Sequence, residues 1–267
     1  MKICLDAGHY KNYNQGVVKN YYEGNVVWKL TNLQKKYLEQ YKDVKVVLTR
    51  TDISKDLSLS DRGAKSKGCD LFLSNHSNYV DNSSVDRAVI IYPFDNKNKS
   101  DVLGKKLGAK IQEVMGLKQN YQMMTRKHNN GEYYGVMRAS RAAGCPRYYI
   151  LEHGFHSHKA TCNWLLKDEN LEKLAKAEVE VIAQYYGLKK KTSTNNSTST
   201  TTKVNEVYSI TTDSLNIRSG PGTDYKVVGT VKKGEAYTVV EKKNGFGKLK
   251  SGAGWISLGS KYVTLKK

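Results

Sequence analysis

No stretch of this sequence stays apolar for more than a handful of residues, far short of the ~20 that a membrane-spanning helix needs. That excludes insertion into a membrane as a helix, and a hydrophobic fraction of 39% suits a soluble protein. The opening residues, MKICLDAGHY, lack the basic start, long apolar core and small-residue cleavage site of a secretion signal. A chain made and folded in the cytoplasm is the expectation. Cysteine is scarce: Cys4, Cys69, Cys145 and Cys162 lie far apart and form no C-x-x-C pair. In a reducing compartment that spacing predicts packed, free thiols. Acidic residues are also in short supply, 25 against 44 basic ones, for a net charge of +19. A polyanionic partner follows from that imbalance. The excess is spread along the chain, 31 basic against 20 acidic residues through position 190 and 13 against 5 beyond it. Such a diffuse field suits an acidic polymer of a cell surface better than a nucleic-acid groove. No aromatic residues interleave with a basic stripe, so no nucleic-acid partner is expected.

What is present divides into three parts. A length of 267 residues favours one larger and one smaller domain. Residues 189–205, KKKTSTNNSTSTTTKVN, hold almost nothing that could be buried and are expected to form a flexible linker. Before it, residues 1–188 alternate strand-like runs (ICLDA, VKVVLT, LFLSN, RAVIIYPF, RYYILE) with helical patterns near 23–41, 59–67, 101–115 and 134–143, closed by a helix to about Tyr186. That alternation predicts an α/β fold with a twisted, mostly parallel sheet flanked by helices. Residues 206–267 read as short alternating strands broken by SGPGTD, KKGE, KNGFG and SGAG, the pattern of a small all-β barrel or sandwich.

In open parallel sheets, sites form where the strands end at their carboxyl edge. ICLDAG ends in His9, LFLSN in His76 and RYYIL in Glu152. Glu23 opens the first helix on the same edge, on the stripe of Val26, Leu30, Leu33, Tyr37 and Tyr41. A carboxylate turned toward a core needs a partner, and a cation serves. Two histidines and a carboxylate suit Zn²⁺ with a fourth position for water, and a nearby unbound glutamate can move the proton. The stretch LEHGFHSH also offers His153, His156 and His158, but an H-x-x-H-x-H run leaving a strand does not put all three on one face. They remain candidates for support, substrate contact or ligation.

DAGH (6–9), a glutamate fourteen residues later, LTRTD with LSLSDRGAKS (48–66), LSNHSN (73–78) and LEHGF (151–155) together resemble the zinc-dependent N-acetylmuramoyl-L-alanine amidases of bacterial autolysins and phage endolysins. The resemblance covers residues 1–186 and implies one zinc held by His9, Glu23 and His76, with Glu152 as the catalytic carboxylate. It further implies hydrolysis of the amide between muramic acid and L-alanine in peptidoglycan. His153 and His158 stand where the family carries a small residue and an asparagine. Asn78, His153, His156 and His158 are therefore supporting or substrate-contacting candidates. Arg50, Asp52 and Arg62 fit a family block and are expected to be structural, an Arg–Asp pair orienting the loop. SLNIRSGPGTDYKVVGTVKKGEAYTVV followed by GWISLGSKYV resembles a bacterial SH3 domain that attaches hydrolases to the wall, with Tyr208, Asn216, Arg218, Tyr225 and Trp255 as candidate contacts.

The implied partners are the peptidoglycan of a Gram-positive wall and its anionic polymers. Without a secretion signal, release by a phage holin is the expected route to that wall. A zinc peptidase acting within the stem peptide and a non-catalytic wall-binding protein remain as alternatives.

Overall fold

The computed structural model describes residues 1–129, 131–191, 202–223 and 225–266. The chain divides into two units, Met1–Lys191 and Thr192–Lys267. The first runs β1 (Lys2–Ala7), α1 (Glu23–Leu38), β2 (Lys45–Leu48), α2 (Leu59–Ala64), β3 (Leu71–Asn78), β4 (Val89–Ile91) and α3 (Ser100–Met115). It continues with β5 (Gln122–Met124), the two-residue strands β6 (Lys127–His128) and β7 (Gly131–Glu132), α4 (Gly135–Ala142), β8 (Tyr148–Phe155), α5 (Lys159–Leu165) and α6 (Asp168–Tyr186).

Six strands form one sheet in the order β2-β1-β3-β8-β4-β5. The first four are mutually parallel, and β4 and β5 run the other way. The mostly parallel sheet is as expected; the reversed edge is an addition. Because successive side chains point to opposite faces, each central strand feeds two cores. Ile3, Leu5, Leu71, Leu73, Tyr149 and Leu151 pack with residues of α1, α3 and α6. Cys4, Phe72, Tyr148 and Ile150 pack with Val136 and Met137 of α4. Burial on both faces explains the near-continuous apolar reading of these strands. The apolar stripe of α6, Leu171, Leu174, Ala175, Val179 and Ile182, is buried, with Tyr186 packed against it. All four cysteines are buried and free.

Two strands continue past the expected site residues. β3 runs to Asn78 and β8 to Phe155, paired across an irregularity between His76 and Asn78. Such an irregularity re-aims side chains locally, here at the edge that carries the polar residues.

The second unit comprises β9 (Thr202–Ile210), β10 (Ser214–Arg218), β11 (Val227–Lys232), β12 (Ala236–Lys243), β13 (Phe246–Leu249), β14 (Trp255–Ser257) and β15 (Val263–Leu265). They form one antiparallel sheet ordered β11-β10-β14-β13-β12-β9-β15. Its core gathers Tyr208, Ile210, Leu215, Ile217, Val231, Val239, Leu249, Ile256 and Val263. β9 is unforeseen, since its first four residues fall in the expected linker 189–205. At the other end of that linker, Lys189 O accepts from Lys42 N and Lys191 N donates to Gln40 O, tying 189–191 to the first unit. Residues 192–201 of the expected linker lie outside the described residues. Among those described, no helix is long and apolar enough to cross a membrane.

Candidate metal centre and active site

His9, Glu23 and His76 converge, each offering one ligand atom within 4.8 Å of the others. His9 follows β1 in a left-handed conformation, φ 58°, which re-aims its ring toward α1. Gly8 makes room for this: a Cβ there would sit 2.3 Å from His76 Cε1. Glu23, the first residue of α1, is 1% exposed. Its Oε1 accepts from Ser77 N at 3.0 Å and faces His76 Nδ1 at 2.9 Å. Its Oε2 lies 3.3 Å from His9 Nε2. Asn14 Nδ2 donates to Glu23 Oε2 at 2.7 Å and lies 3.1 Å from His9 Nε2. Donor N–H groups thus fill the space on which the lone pairs converge, where a small divalent cation fits. Two imidazoles and a carboxylate are a donor set suited to zinc. Burial alone would raise Glu23, but hydrogen bonds and charge from His76 and His9 hold it well below the usual carboxylate range. Burial would likewise lower His76, and Glu23 outweighs it, lifting the imidazole to about 9.

Behind His76, the hydrogen bonds settle which nitrogen is free for a metal. Asp6, 1% exposed, accepts from Thr49 Oγ1 at 2.6 Å, Ser74 Oγ at 2.6 Å and Arg62 Nη1 at 3.0 Å. Ser74 spends its one proton on Asp6, so its 3.1 Å contact with His76 Nε2 must be an N–H donated by the imidazole. That leaves Nδ1, the nitrogen facing Glu23, as the atom His76 can offer to a metal. Hydrogen bonds of this kind fix the ring and tautomer of metal-binding histidines.

Glu152 sits on β8 directly beside His76 in the parallel register. Its Oε2 is buried without a hydrogen-bond partner. Burial, reinforced by the charge of Glu23 and partly offset by His76 and His153, pushes its carboxyl up to about 7. A group poised there can both take and return a proton at neutral pH.

Arg62, on α2, clamps the loop after β1. It donates to Ala7 O and His9 O, each at 2.7 Å, and pairs with Asp6 and with Asp56 at 2.7 Å. Arg50 donates to Ala7 O and to the backbone carbonyls of Asp52 and Ile53. The expected Arg–Asp pair is therefore corrected. The Asp52 carboxylate caps Ser54, and Arg62 takes the acidic partners, because α2 brings its guanidinium beneath β1.

The three histidines of LEHGFHSH separate, and none joins the ligand cluster among the described residues. His153, 1% exposed, alternates with Glu152 and so enters the opposite core. There its Nδ1 donates to His76 O at 3.0 Å and its Nε2 lies 2.8 Å from Glu178 Oε1 of α6. Gln34 and Asn75 continue this buried chain. Burial lowers the His153 imidazole, but Glu178 raises it more. His156 lies past the strand and donates from Nδ1 to Ser77 O at 2.9 Å, its affinity for a proton lowered by burial. His158 lies 3.1 Å from Thr161 Oγ1 and 3.4 Å from Asp86. Asn78 accepts from Tyr79 N with its side chain and from His156 N with its backbone, bracing the same turn. Asn14, Ser74 and Asp6 were missed as site residues by the sequence reading. Ser74 had a signal, since it shares a strand face with His76 two residues on.

In the second unit, Tyr208 and Trp255 are buried, 7% and 8% exposed, which leaves them little surface to offer a polymer. Tyr208 packs in the core of this unit, and Trp255 lies under Lys248. Asn216 is exposed. Tyr225, 48% exposed, covers Gly220, where a Cβ would come within 2.2 Å of its ring. Arg218 donates to Thr223 O and Tyr225 O and holds that loop.

Comparison with known proteins agrees with this architecture. The catalytic domain of CwlV, an N-acetylmuramoyl-L-alanine amidase from Bacillus (Paenibacillus) polymyxa var. colistinus, superposes with a TM-score of 0.60 at 21% identity, over 70% of this chain and 99% of that one. An N-acetylmuramoyl-L-alanine amidase from Clostridium difficile 630 gives 0.60 at 21%, over 70% and 96%. AmiC2 of Nostoc punctiforme, of the same named activity, gives 0.59 at 22%, over 70% and 97%. At these identities the likeness is one of fold. No curated protein sequence matches the chain. The N-acetylmuramoyl-L-alanine amidase family matches residues 3–184, and the bacterial SH3 domain matches residues 213–264. With more than half its length inside the first match, the chain belongs to the N-acetylmuramoyl-L-alanine amidases and carries a bacterial SH3 domain behind the enzyme.

Proposed function

We propose that the first unit hydrolyses the amide between the lactyl group of N-acetylmuramic acid and the first L-alanine of the peptidoglycan stem peptide, with zinc as its metal and Glu152 as its proton carrier. One observation supports this above the others. A carboxyl with an unpartnered buried oxygen and a pKa near 7 stands next to a three-donor cluster that fits a divalent cation. His9 Nε2, Glu23 and His76 Nδ1 would hold the ion. Bound there, zinc supplies Lewis acidity for a carbonyl and for water at neutral pH. Glu152 takes the proton of the attacking water and returns it to the departing amine, and Arg62 keeps His9 in its left-handed turn through the cycle.

The second unit serves as a wall anchor, raising the enzyme's local concentration along an insoluble polymer. The net charge of +19 suits the anionic wall of a Gram-positive cell, where we place the activity. The test is product analysis on purified cell walls. Stem peptides with new L-alanine amino termini are expected, and chelation should stop their release. New reducing sugar ends, or amino termini from within the stem peptide, would overturn the assignment. Equal wall clearing by Glu152→Gln would remove the proton carrier.

A further inference from the structure

We infer that the cavity beside His9 is the subsite for the muramic acid sugar, a proposal that rests on the amidase reading above. The argument begins with which side of the centre carries the acid. Along the sheet the order is β1, β3, β8, bearing His9, His76 and Glu152 in turn. In amide hydrolysis the C–N bond breaks, water supplies hydroxyl to the acyl carbon, and the proton goes to the departing nitrogen. Glu152 delivers that proton, so the peptide amine departs on the β8 side. With the scissile carbon over the His9–Glu23–His76 cluster, the acyl half must extend the other way, across β1 toward α2.

On that side a cavity of about 290 Å³ opens against His9 and His76, with Glu152 absent from its walls. Tyr10, Tyr13, Leu57, Leu59 and Val136 form the apolar part of the walls, and Asp56 adds a carboxylate. The size lies at the small end of ligand pockets, ~300–1,000 Å³, and fits one sugar ring better than a branched peptide. Tyr13 stacks one ring face on His9, centroids 4.8 Å apart and planes 16° apart, yet remains 42% exposed. Tyr10 packs on Tyr13 in turn, centroids 5.2 Å apart and planes tilted by 39°, so the two tyrosines form one aromatic wall of the cavity. A pyranose presents an apolar C–H face with a rim of hydroxyls, which matches an aromatic platform beside a carboxylate. Asp56 uses Oδ1 on Arg62 and Leu57 N, and its side chain is 57% exposed.

The experiment compares two substrates of the full-length, metal-loaded protein: N-acetylmuramoyl-L-alanyl-D-isoglutamine and the same peptide carrying only a D-lactoyl group. Wild type should prefer the muramoyl substrate in kcat/KM. Tyr13→Ala should lose about 3- to 10-fold more on it than on the lactoyl substrate, chiefly through KM, since any slackening of His9 beneath that ring weighs on both substrates alike. Tyr13→Phe should recover the loss. Leu59→Trp, which fills the cavity from an exposed position, should raise KM for the muramoyl substrate alone. Equal losses on both substrates, or no wild-type preference for the sugar, would overturn the subsite while lactoyl-peptide cleavage still upheld the amidase. Cleavage of neither substrate by wild type would overturn both.

Discussion

Glu152→Gln should abolish hydrolysis and, at alkaline pH, stabilise the metal-free fold. Burial raises the Glu152 carboxyl from 4.5 to about 7. Below pH 4.5 the group is neutral in the folded and unfolded chains alike, so it sets no difference between wild type and the glutamine variant. Between 4.5 and 7 the unfolded chain ionises while the folded chain keeps its proton, and stability falls as pH rises. Above 7 the loss is complete. At 1.36 kcal/mol per pH decade the full cost is about 3 kcal/mol, and partial contact with water trims it to about 2–3 kcal/mol. Glutamine, neutral throughout and of the same shape, escapes it. For a unit of this size each kcal/mol moves Tm by about 2–4 °C, so the variant should melt about 5–10 °C above wild type at pH 8 and level with it at pH 4.5. Thermal unfolding of chelated protein, followed by circular dichroism across that range, measures the difference; chelation keeps metal-linked stabilisation out of the comparison. A Tm difference independent of pH, or a variant less stable at pH 8, would refute the claim that this carboxyl is held in a desolvated, proton-retaining site. The trade-off, stability given up for activity, is common at catalytic positions.

Three further outcomes follow from the same geometry. Ser74→Ala should weaken zinc binding by about 10- to 100-fold in chelator competition, because His76 Nε2–H loses its anchor, and Ser74→Thr should restore it; wild-type affinity in the alanine variant would contradict the tautomer assignment. Gly8→Ala should fold but lose the metal, since the added Cβ would sit 2.3 Å from the His76 ring, and a zinc-replete variant with wild-type affinity would show that the ring position is not constrained there. Glu178→Leu should cost about 3 kcal/mol in urea denaturation by stranding His153 in the core, while the double variant His153→Gly/Glu178→Leu should recover part of that loss; strict additivity of the two changes would mean that the pair is not coupled.

The parts of the site legible in the sequence are those fixed by local pattern. His9, His76 and Glu152 each follow an apolar strand run, and Glu23 begins a helical stripe, so periodicity alone placed them on one edge of a parallel sheet. What escaped depends on register between distant strands. Ser74 reaches Asp6 only because β1 and β3 align Asp6 with Ser74, a pairing that no spacing in the chain encodes. The reversed direction of β4 escaped for a simpler reason: three residues carry no directional signal. The start of β9 was hidden by polar composition, since Thr202, Lys203 and Asn205 read as linker residues.

His153 is the instructive case, because half of its account was readable. Alternation along β8 already sends His153 to the face opposite Glu152, away from the metal edge. The matching signal lies in α6, where Glu178 falls four residues after Leu174 and four before Ile182, on a stripe that is otherwise apolar. A carboxylate on a buried stripe requires a buried donor, and His153, on the face of β8 turned toward α6, is that donor. The same alternation therefore divides the two neighbours between two tasks. Glu152 faces the His9–Glu23–His76 cluster with an oxygen left unpaired, and His153 faces the core, where it ties the backbone carbonyl of His76 to Glu178. A strand that must present a reactive carboxyl on one face can be braced from the other at the cost of one buried ion pair, and the positions of both groups follow from a period of two.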